Sequence, residues 1–416
     1  MTRRRWRIAT LLGIGVLVNY FDRVNISVAH DALHQEFGIS TVMFGYLLSS
    51  FNWTYALLQL PMGVLLDRFG VKPIGRMSAL LWTLASLGSA AAPNLGAFFG
   101  TRLLLGIGEA PTFPSNVKAI GYWFPRHERS MATAMFDAAA KLGAAIGIPA
   151  VGFVLIHFGW RTSFAATGVI SALYFWAFWL VYRDPEDDPA LSEEERILIG
   201  HRTGTHEPAD GAPLGTLIKQ KKVLGLVAGF FGYNYCFYLL LLWLPTYFGS
   251  LKLDPWHSVV YTGIPWLVAT IADLAIGGYL VDWLVRRGHS DTVVRQSVLI
   301  TGTAFGLAIA GPTFTTDPKV ALFWITLALA GLAAAAPVGW SIPSLIAPRS
   351  SVGKVGGILN FGNQVSGIVA PIVTGYIARE TGSMGKAFAV AAVLLLLGIA
   401  SYIFLLGRIE PETAKD

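Results

Sequence analysis

Twelve apolar stretches of bilayer-crossing length govern what this chain can become. They run over residues 7–31, 41–66, 74–92, 97–122, 130–157, 162–182, 222–248, 257–285, 294–312, 318–346, 353–378 and 385–407. About 20 consecutive apolar residues span the hydrocarbon core of a membrane as a helix. Lipid offers no hydrogen bonds, so every backbone amide in such a stretch must be satisfied within the protein. The expected fold class is an all-α polytopic membrane protein with twelve transmembrane helices. Composition agrees: 54% of the 416 residues are hydrophobic and 13% charged, against about 25% charged in soluble domains. The 45 glycines fit as well, because small residues let membrane helices approach closely. A single cysteine, Cys236, excludes an intrachain disulfide framework and argues against a cysteine-based metal site. The net charge of +6 is not a nucleic-acid signature, because the basic residues sit in short loops between apolar spans.

Lysine and arginine divide unevenly between the two sets of alternating loops. The side holding the N-terminus carries 22, among them Arg3, Arg4, Arg5, Arg7, Arg68, Lys72 and Arg129, and the other side carries 5: Arg161, Lys252, Lys319, Arg379 and Lys386. By the positive-inside rule both termini are expected in the cytoplasm of a bacterial inner (plasma) membrane protein. Thr2-Arg3-Arg4-Arg5 imitates the start of a signal peptide. The apolar run continues past the usual length with no convincing cleavage site, so it reads as a retained first helix.

The one long connection, 183–221, is rich in Asp, Glu, Pro and Gly. The expected organisation is an N-terminal six-helix bundle (1–182), a cytoplasmic linker (183–221), a C-terminal six-helix bundle (222–408) and a short cytoplasmic tail (409–416). Within the linker, Ser192 is placed to cap a short helix, with Glu195 completing a capping box. The halves echo each other. Gly63-Val64-Leu65-Leu66-Asp67-Arg68 ends the second span, and Gly278-Tyr279-Leu280-Val281-Asp282 followed by Arg286-Arg287 ends the eighth. Paired halves around a midplane site are how many secondary transporters are built.

These motifs resemble the major facilitator superfamily, whose cytoplasmic signature is similar to Gly63…Asp67-Arg68…Gly70…Lys72 and its copy at Gly278–Gly288. Four further motifs are similar to those of its anion:cation symporter family: Asn19-Tyr20-Phe21-Asp22-Arg23, Phe51-Asn52-Trp53-Thr54-Tyr55, the run Gly108-Glu109-Ala110-Pro111-Thr112-Phe113-Pro114-Ser115-Asn116, and Trp123-Phe124-Pro125 with Glu128-Arg129. The chain resembles the bacterial proton-coupled sugar-acid transporters for galactonate and glucarate, and more distantly sialin, the lysosomal sialic-acid exporter, and the vesicular glutamate transporters. The resemblance implies the major facilitator fold, with two pseudo-symmetric six-helix bundles, and proton-coupled symport of a small organic anion, a hydroxylated sugar acid or related carboxylate, by alternating access.

Ionisable groups within a span cost about 2.5–3.5 kcal/mol each on insertion scales. Here they are Asp22, Arg23, Arg102, Glu109, Asp137, Lys141 and Asp273. Glu109 is expected to couple the proton, because burial favours a neutral carboxyl and a nearby arginine a charged one. Asp22 is a second proton site or a clamp on an arginine. Arg23 has the planar fork suited to a substrate carboxylate. Arg102, seven residues before Glu109, shares its helix face. Tyr20, Tyr55 and Gln59 are expected to offer hydroxyl and amide groups to substrate, joined from the C-terminal half by Trp340, Ser341, Asn360 and Asn363, with Asn234 a weaker candidate. Asp137 and Lys141, four residues apart, read either as a structural ion pair or as Lys141 meeting a second anionic group on a dicarboxylate. Asp67 with Arg68, Glu128 with Arg129, and Asp282 with Arg286 are expected to form cytoplasmic latches.

No Gly-rich phosphate loop with Lys-Ser/Thr and no metal-ligand spacing is visible, so no ATPase module, metal or cofactor is expected. No nucleophile–base pair has local support, so the chain is not read as an enzyme. The expected partners are the organic anion, protons and the lipid bilayer, with no nucleic acid, and the protein is read as a monomer. The rival readings are a proton antiporter or facilitative exporter, supported by Gly143-Ala144-Ala145-Ile146-Gly147-Ile148-Pro149, and a non-transporting receptor of the same fold.

Overall fold

The computed structural model describes residues 4–125, 129–199, 213–347 and 351–409, and no strand occurs among them. In chain order the helices are α1 (Arg4–Val28), α2 (His30–Phe37), α3 (Thr41–Phe69), α4 (Val71–Ala90), α5 (Leu95–Glu109), α6 (Thr112–Trp123), α7 (Arg129–Phe158), α8 (Trp160–Val181), α9 (Glu193–Ile199) and α10 (Leu214–Leu217). There follow α11 (Lys221–Ser250), α12 (Pro255–Ala272), α13 (Val281–Arg286), α14 (Asp291–Gly306), α15 (Pro318–Ser341), α16 (Pro343–Ile346), α17 (Val352–Thr381) and α18 (Gly385–Ser401). Among the described residues eight helical segments are long and apolar enough to cross a membrane.

Several expected spans are interrupted. The fourth is two helices, α5 and α6, separated at Ala110-Pro111. Pro111 and Pro114 supply no N–H, so carbonyls one turn earlier lose their helical donors. Side chains of neighbouring helices take over: the Ser78 hydroxyl donates to the Gly108 carbonyl at 2.5 Å and Gln59 Nε2 to the Ala110 carbonyl at 3.4 Å. The eighth span passes through a π-helical stretch, Asp273–Leu280, that opens on buried Asp273. His30 and His34 lie on the short helix α2.

The chain divides into two compact units, Met1–Ile39 with Ser50–Thr205, and Ser40–Ser49 with His206–Asp416. In the first unit α7 runs parallel to α1 in close contact. A Cβ on Gly143 would stand 2.8 Å from Tyr20 Cβ and 3.0 Å from the Leu17 carbonyl, so only glycine permits that approach. In the second unit the opening turns of α3 pack on α17, where a Cβ on Gly45 would meet the Pro371 carbonyl at 2.6 Å.

The described start of the linker is bound to the beginning of α1. Arg4 reaches Asp188 at 2.8 Å and donates to the Val181 carbonyl at 2.8 Å; Arg5 pairs with Glu195 at 2.6 Å. Ser192 Oγ does accept the Glu195 N–H, at 3.3 Å, but the capping box is only half formed. The Glu195 carboxylate takes the Arg4 backbone N–H and the Arg5 guanidinium instead, two stronger donors held at the same level.

Candidate functional site

The first unit gathers its buried charges around one contact. Arg23 Nε donates to Glu109 Oε2 at 2.7 Å, with both side chains buried. Glu109 is the last residue of α5, where Pro111 stops the regular helix at mid-span. The Arg23 guanidinium carbon lies 5.1 Å from the Tyr20 ring centroid, 4.6 Å from that of Phe51 and 5.0 Å from that of Tyr55. Three aromatic faces therefore enclose the cation on the sides that Glu109 leaves open. Gly106 sets this cage. A Cβ there would lie 2.3 Å from the Phe51 carbonyl and from Thr54 Oγ1, and the Thr54 hydroxyl donates to the Leu103 carbonyl at 2.7 Å. Glycine on α5 thus admits the backbone of α3 and delivers Phe51 and Tyr55 to Arg23.

Arg102 is the second buried cation. Its Nη1 donates to the backbone carbonyl of Asp22 at 3.3 Å, its guanidinium carbon is 6.0 Å from the Phe51 ring, and its Nε has no partner among the described residues. It makes no salt bridge with a described carboxylate. An ionisable side chain within a membrane needs a compensating partner, and for Arg102 the described one is the backbone carbonyl of Asp22.

Asp22 does not clamp an arginine through its carboxylate. It accepts from the Ser86 hydroxyl at 2.7 Å and from the Ser171 hydroxyl at 2.8 Å. Successive residues on a helix diverge by about 100°. That turns Asp22 away from Glu109 toward α4 and α8, and leaves its carbonyl, not its carboxylate, to Arg102. Asp22 and Arg23 make no bond to each other. Gln59, expected to serve substrate, spends its amide N–H on the broken helix at Ala110.

Lys141 pairs with Asp137 at 3.0 Å; the Asp137 side chain keeps 29% of its accessibility and Lys141 6%.

In the second unit Asn234 Nδ2 donates to Asn363 Oδ1 at 2.7 Å, Tyr238 to Gln364 Oε1 at 3.2 Å, and Gln364 Nε2 to Asn360 Oδ1 at 3.4 Å. Trp340 packs edge-on against Phe230 with centroids 5.4 Å apart and is 41% exposed. Ser341 accepts from Arg295 at 2.8 Å and donates to the Val338 carbonyl, which makes it part of a helix-end network.

Of the expected latches, Arg286 donates to the backbone carbonyl of Asp282 at 3.2 Å, both on the short helix α13. The Arg68 guanidinium carbon lies 5.2 Å from the ring of its neighbour Phe69. Glu128 and the side chains of Asp67 and Arg129 lie outside the described residues. Ser86, Ser171, Phe51, Gln364 and Tyr238 were not singled out by sequence. Only Phe51, inside the Phe51–Tyr55 motif, carried a signal.

A Major Facilitator Superfamily model matches residues 12–290. An uncharacterized transporter, YybO, of Bacillus subtilis is 39% identical over 412 residues, covering 98% of this chain and 95% of its own. The D-galactonate transporter of Escherichia coli is 31% identical, covering 98% and 97%. A crystal structure of a D-xylose-proton symporter superposes with a TM-score of 0.78 at 17% identity, covering 97% of this chain and 98% of that one. The helical architecture, the matched span and the full-length similarity lead to one statement: the chain belongs to the Major Facilitator Superfamily.

Proposed function

We propose that the protein is a proton-coupled symporter that brings a small organic anion, a hydroxylated sugar acid, into the bacterial cell by alternating access. The observation that carries this reading is the buried 2.7 Å pair between Arg23 and Glu109. A substrate carboxylate and the Glu109 carboxylate compete for the same guanidinium. When Glu109 takes a proton it becomes a poor partner for Arg23, and the arginine passes to the substrate. Loss of the proton restores the pair and expels the anion. Arg102 adds a second cation, and Tyr20 and Tyr55 offer hydroxyls; within the second unit Trp340, Asn360 and Asn363 are the candidate polyol contacts. Asp22, held by two hydroxyls, is the second protonation site. On this reading both termini are cytoplasmic, residues 183–221 tether the two six-helix halves, and the protein works as a monomer without a cofactor. The full-length similarity to a D-galactonate transporter supports the substrate class.

The test is uptake of labelled D-galactonate into proteoliposomes. Counterflow exchange without a gradient, and accumulation when the outside is made acidic, are the expected results. Exchange without acid-driven accumulation would overturn the symport, and neither signal for any sugar acid would overturn the substrate class.

A further inference from the structure

A line of buried polar side chains runs along α6 from Glu109 toward the end of the first unit where α1 begins. Thr112, Ser115, Asn116 and Trp123 fall on one helix face. All four are buried, and Thr112 Oγ1, Ser115 Oγ, Asn116 Nδ2 and Trp123 Nε1 have no hydrogen-bond partner among the described residues. The helices packed on α6 include α1 and α4. On α1, Asn19 is wholly buried one turn before Arg23, and neither its Oδ1 nor its Nδ2 is bonded. On α4, Trp82 Nε1 is likewise without a partner, at the level where a Cβ on Gly108 would touch the Trp82 backbone at 2.6 Å.

Hydroxyls in these helices ordinarily bond back to a carbonyl of the preceding turn, as Thr83 does to Ala79 and Thr374 to Ala370. Thr112 and Ser115 do not. Buried polar groups are satisfied by protein or by ordered water, and a buried water takes two to four such partners. Glu109 meets the head of the line with the matching asymmetry. Its Oε2 accepts from Arg23, so a proton on this carboxyl belongs on Oε1, the oxygen with no partner.

We propose that Asn19, Thr112, Ser115 and Asn116 hold a file of water molecules that carries the proton between Glu109 Oε1 and the solvent at the α1 end of the bundle. From Glu109 past Asn116 to Trp123, at the α1 end of α6, the path is about 21 Å along the helix axis, which seven or eight waters cover at about 2.8 Å apiece. In release, the Oε1–H bond breaks and its electron pair stays on the carboxylate. The first water accepts the proton, each water passes on one of its own, and the last gives one to solution. Glu109 is left as an anion on Arg23. The inference rests on the proton-coupled reading above and adds an interior route for the proton, distinct from the path of the anion.

Two double variants separate room for water from polarity. Ser115→Val with Asn116→Leu fills the space with apolar groups; Ser115→Ala with Asn116→Ala leaves it open to water. In proteoliposomes the filled variant should keep galactonate counterflow and lose acid-driven accumulation by about tenfold or more, as removal of a proton-transfer partner does. The open variant keeps the room but removes two of the polar partners that hold the water, so it should keep counterflow and lose part of the accumulation, by less than the filled variant. Equal accumulation by the filled variant and wild type overturns the proposal. Counterflow reports folding in each case. If a variant fails it, hydroxyl-radical footprinting of the wild-type protein decides: ordered water beside α6 predicts oxidation of Trp82 and Trp123, and their protection overturns the file. Wild-type protein that exchanges galactonate without acid-driven accumulation removes the coupling reading instead, and the footprint still settles the water.

Discussion

Glu109→Gln isolates the coupling chemistry. The amide keeps the side-chain length and can still accept the Arg23 Nε–H now given to Glu109 Oε2 at 2.7 Å, but it neither titrates nor carries charge. Hydrogen bonds involving charged partners contribute about 1.5–3 kcal/mol and neutral ones about 0.5–1.5. Arg23 stays charged, so in the variant the bond keeps one charged partner and loses the other, which loosens the hold on Arg23 by about 1 kcal/mol. A substrate carboxylate that must displace Glu109 gains that amount, roughly a fivefold tighter Kd at neutral pH. Calorimetric titration with D-galactonate should show this tightening together with loss of the pH dependence of binding. Counterflow should persist and acid-driven accumulation should vanish. Accumulation at the wild-type level would refute Glu109 as the coupling group. Binding that is unchanged or weaker would refute the competition for Arg23, even if accumulation were lost.

Three further outcomes follow from the same geometry. Arg23→Lys should weaken galactonate binding by about tenfold or more, because an ammonium cannot reproduce the guanidinium fork or its stacking inside the three rings; affinity within about twofold of wild type in the same titration would remove Arg23 as the anchor. The neutral pair Asp137→Asn with Lys141→Gln should transport with near-normal affinity for monocarboxylates and dicarboxylates alike, as an intrahelical strut would; a selective loss for glucarate over galactonate would assign Lys141 to substrate. Arg5→Ala leaves Glu195 buried without its 2.6 Å partner and should cost about 3–5 kcal/mol. This reads as a lower melting temperature of the purified protein, and an unchanged one would show that the linker is held by other contacts.

The spans were legible because lipid imposes a length and an apolarity that sequence displays directly. Their interruptions were partly legible. Pro111 and Pro114 announce a break near Glu109, but nothing local says that Ser78 and Gln59 repair it, since those partners come from α4 and α3. The same blindness governs the site. Helical periodicity puts Tyr20, three residues away, on the face of Arg23 and turns the adjacent Asp22 aside, using only positions on one helix. It did not foresee the Gln59 bond to Ala110 and left the Asp22 carboxylate undecided, because those outcomes depend on which neighbour presents a partner at the same depth. Ser86 and Ser171 look like ordinary small residues in sequence and become the partners of Asp22 only through the packing of α4 and α8 on α1. The positional logic also explains why two adjacent acid and base side chains do different work. Arg23 turns toward α5 and meets a carboxylate and aromatic faces, whereas Asp22 turns into the bundle and meets hydroxyls alone. A titratable acid bonded only by neutral donors and a cation bonded to a competing acid are adjacent on α1, so in the symport proposed above, substrate arrival at Arg23 and proton arrival at Asp22 would act on one turn of helix.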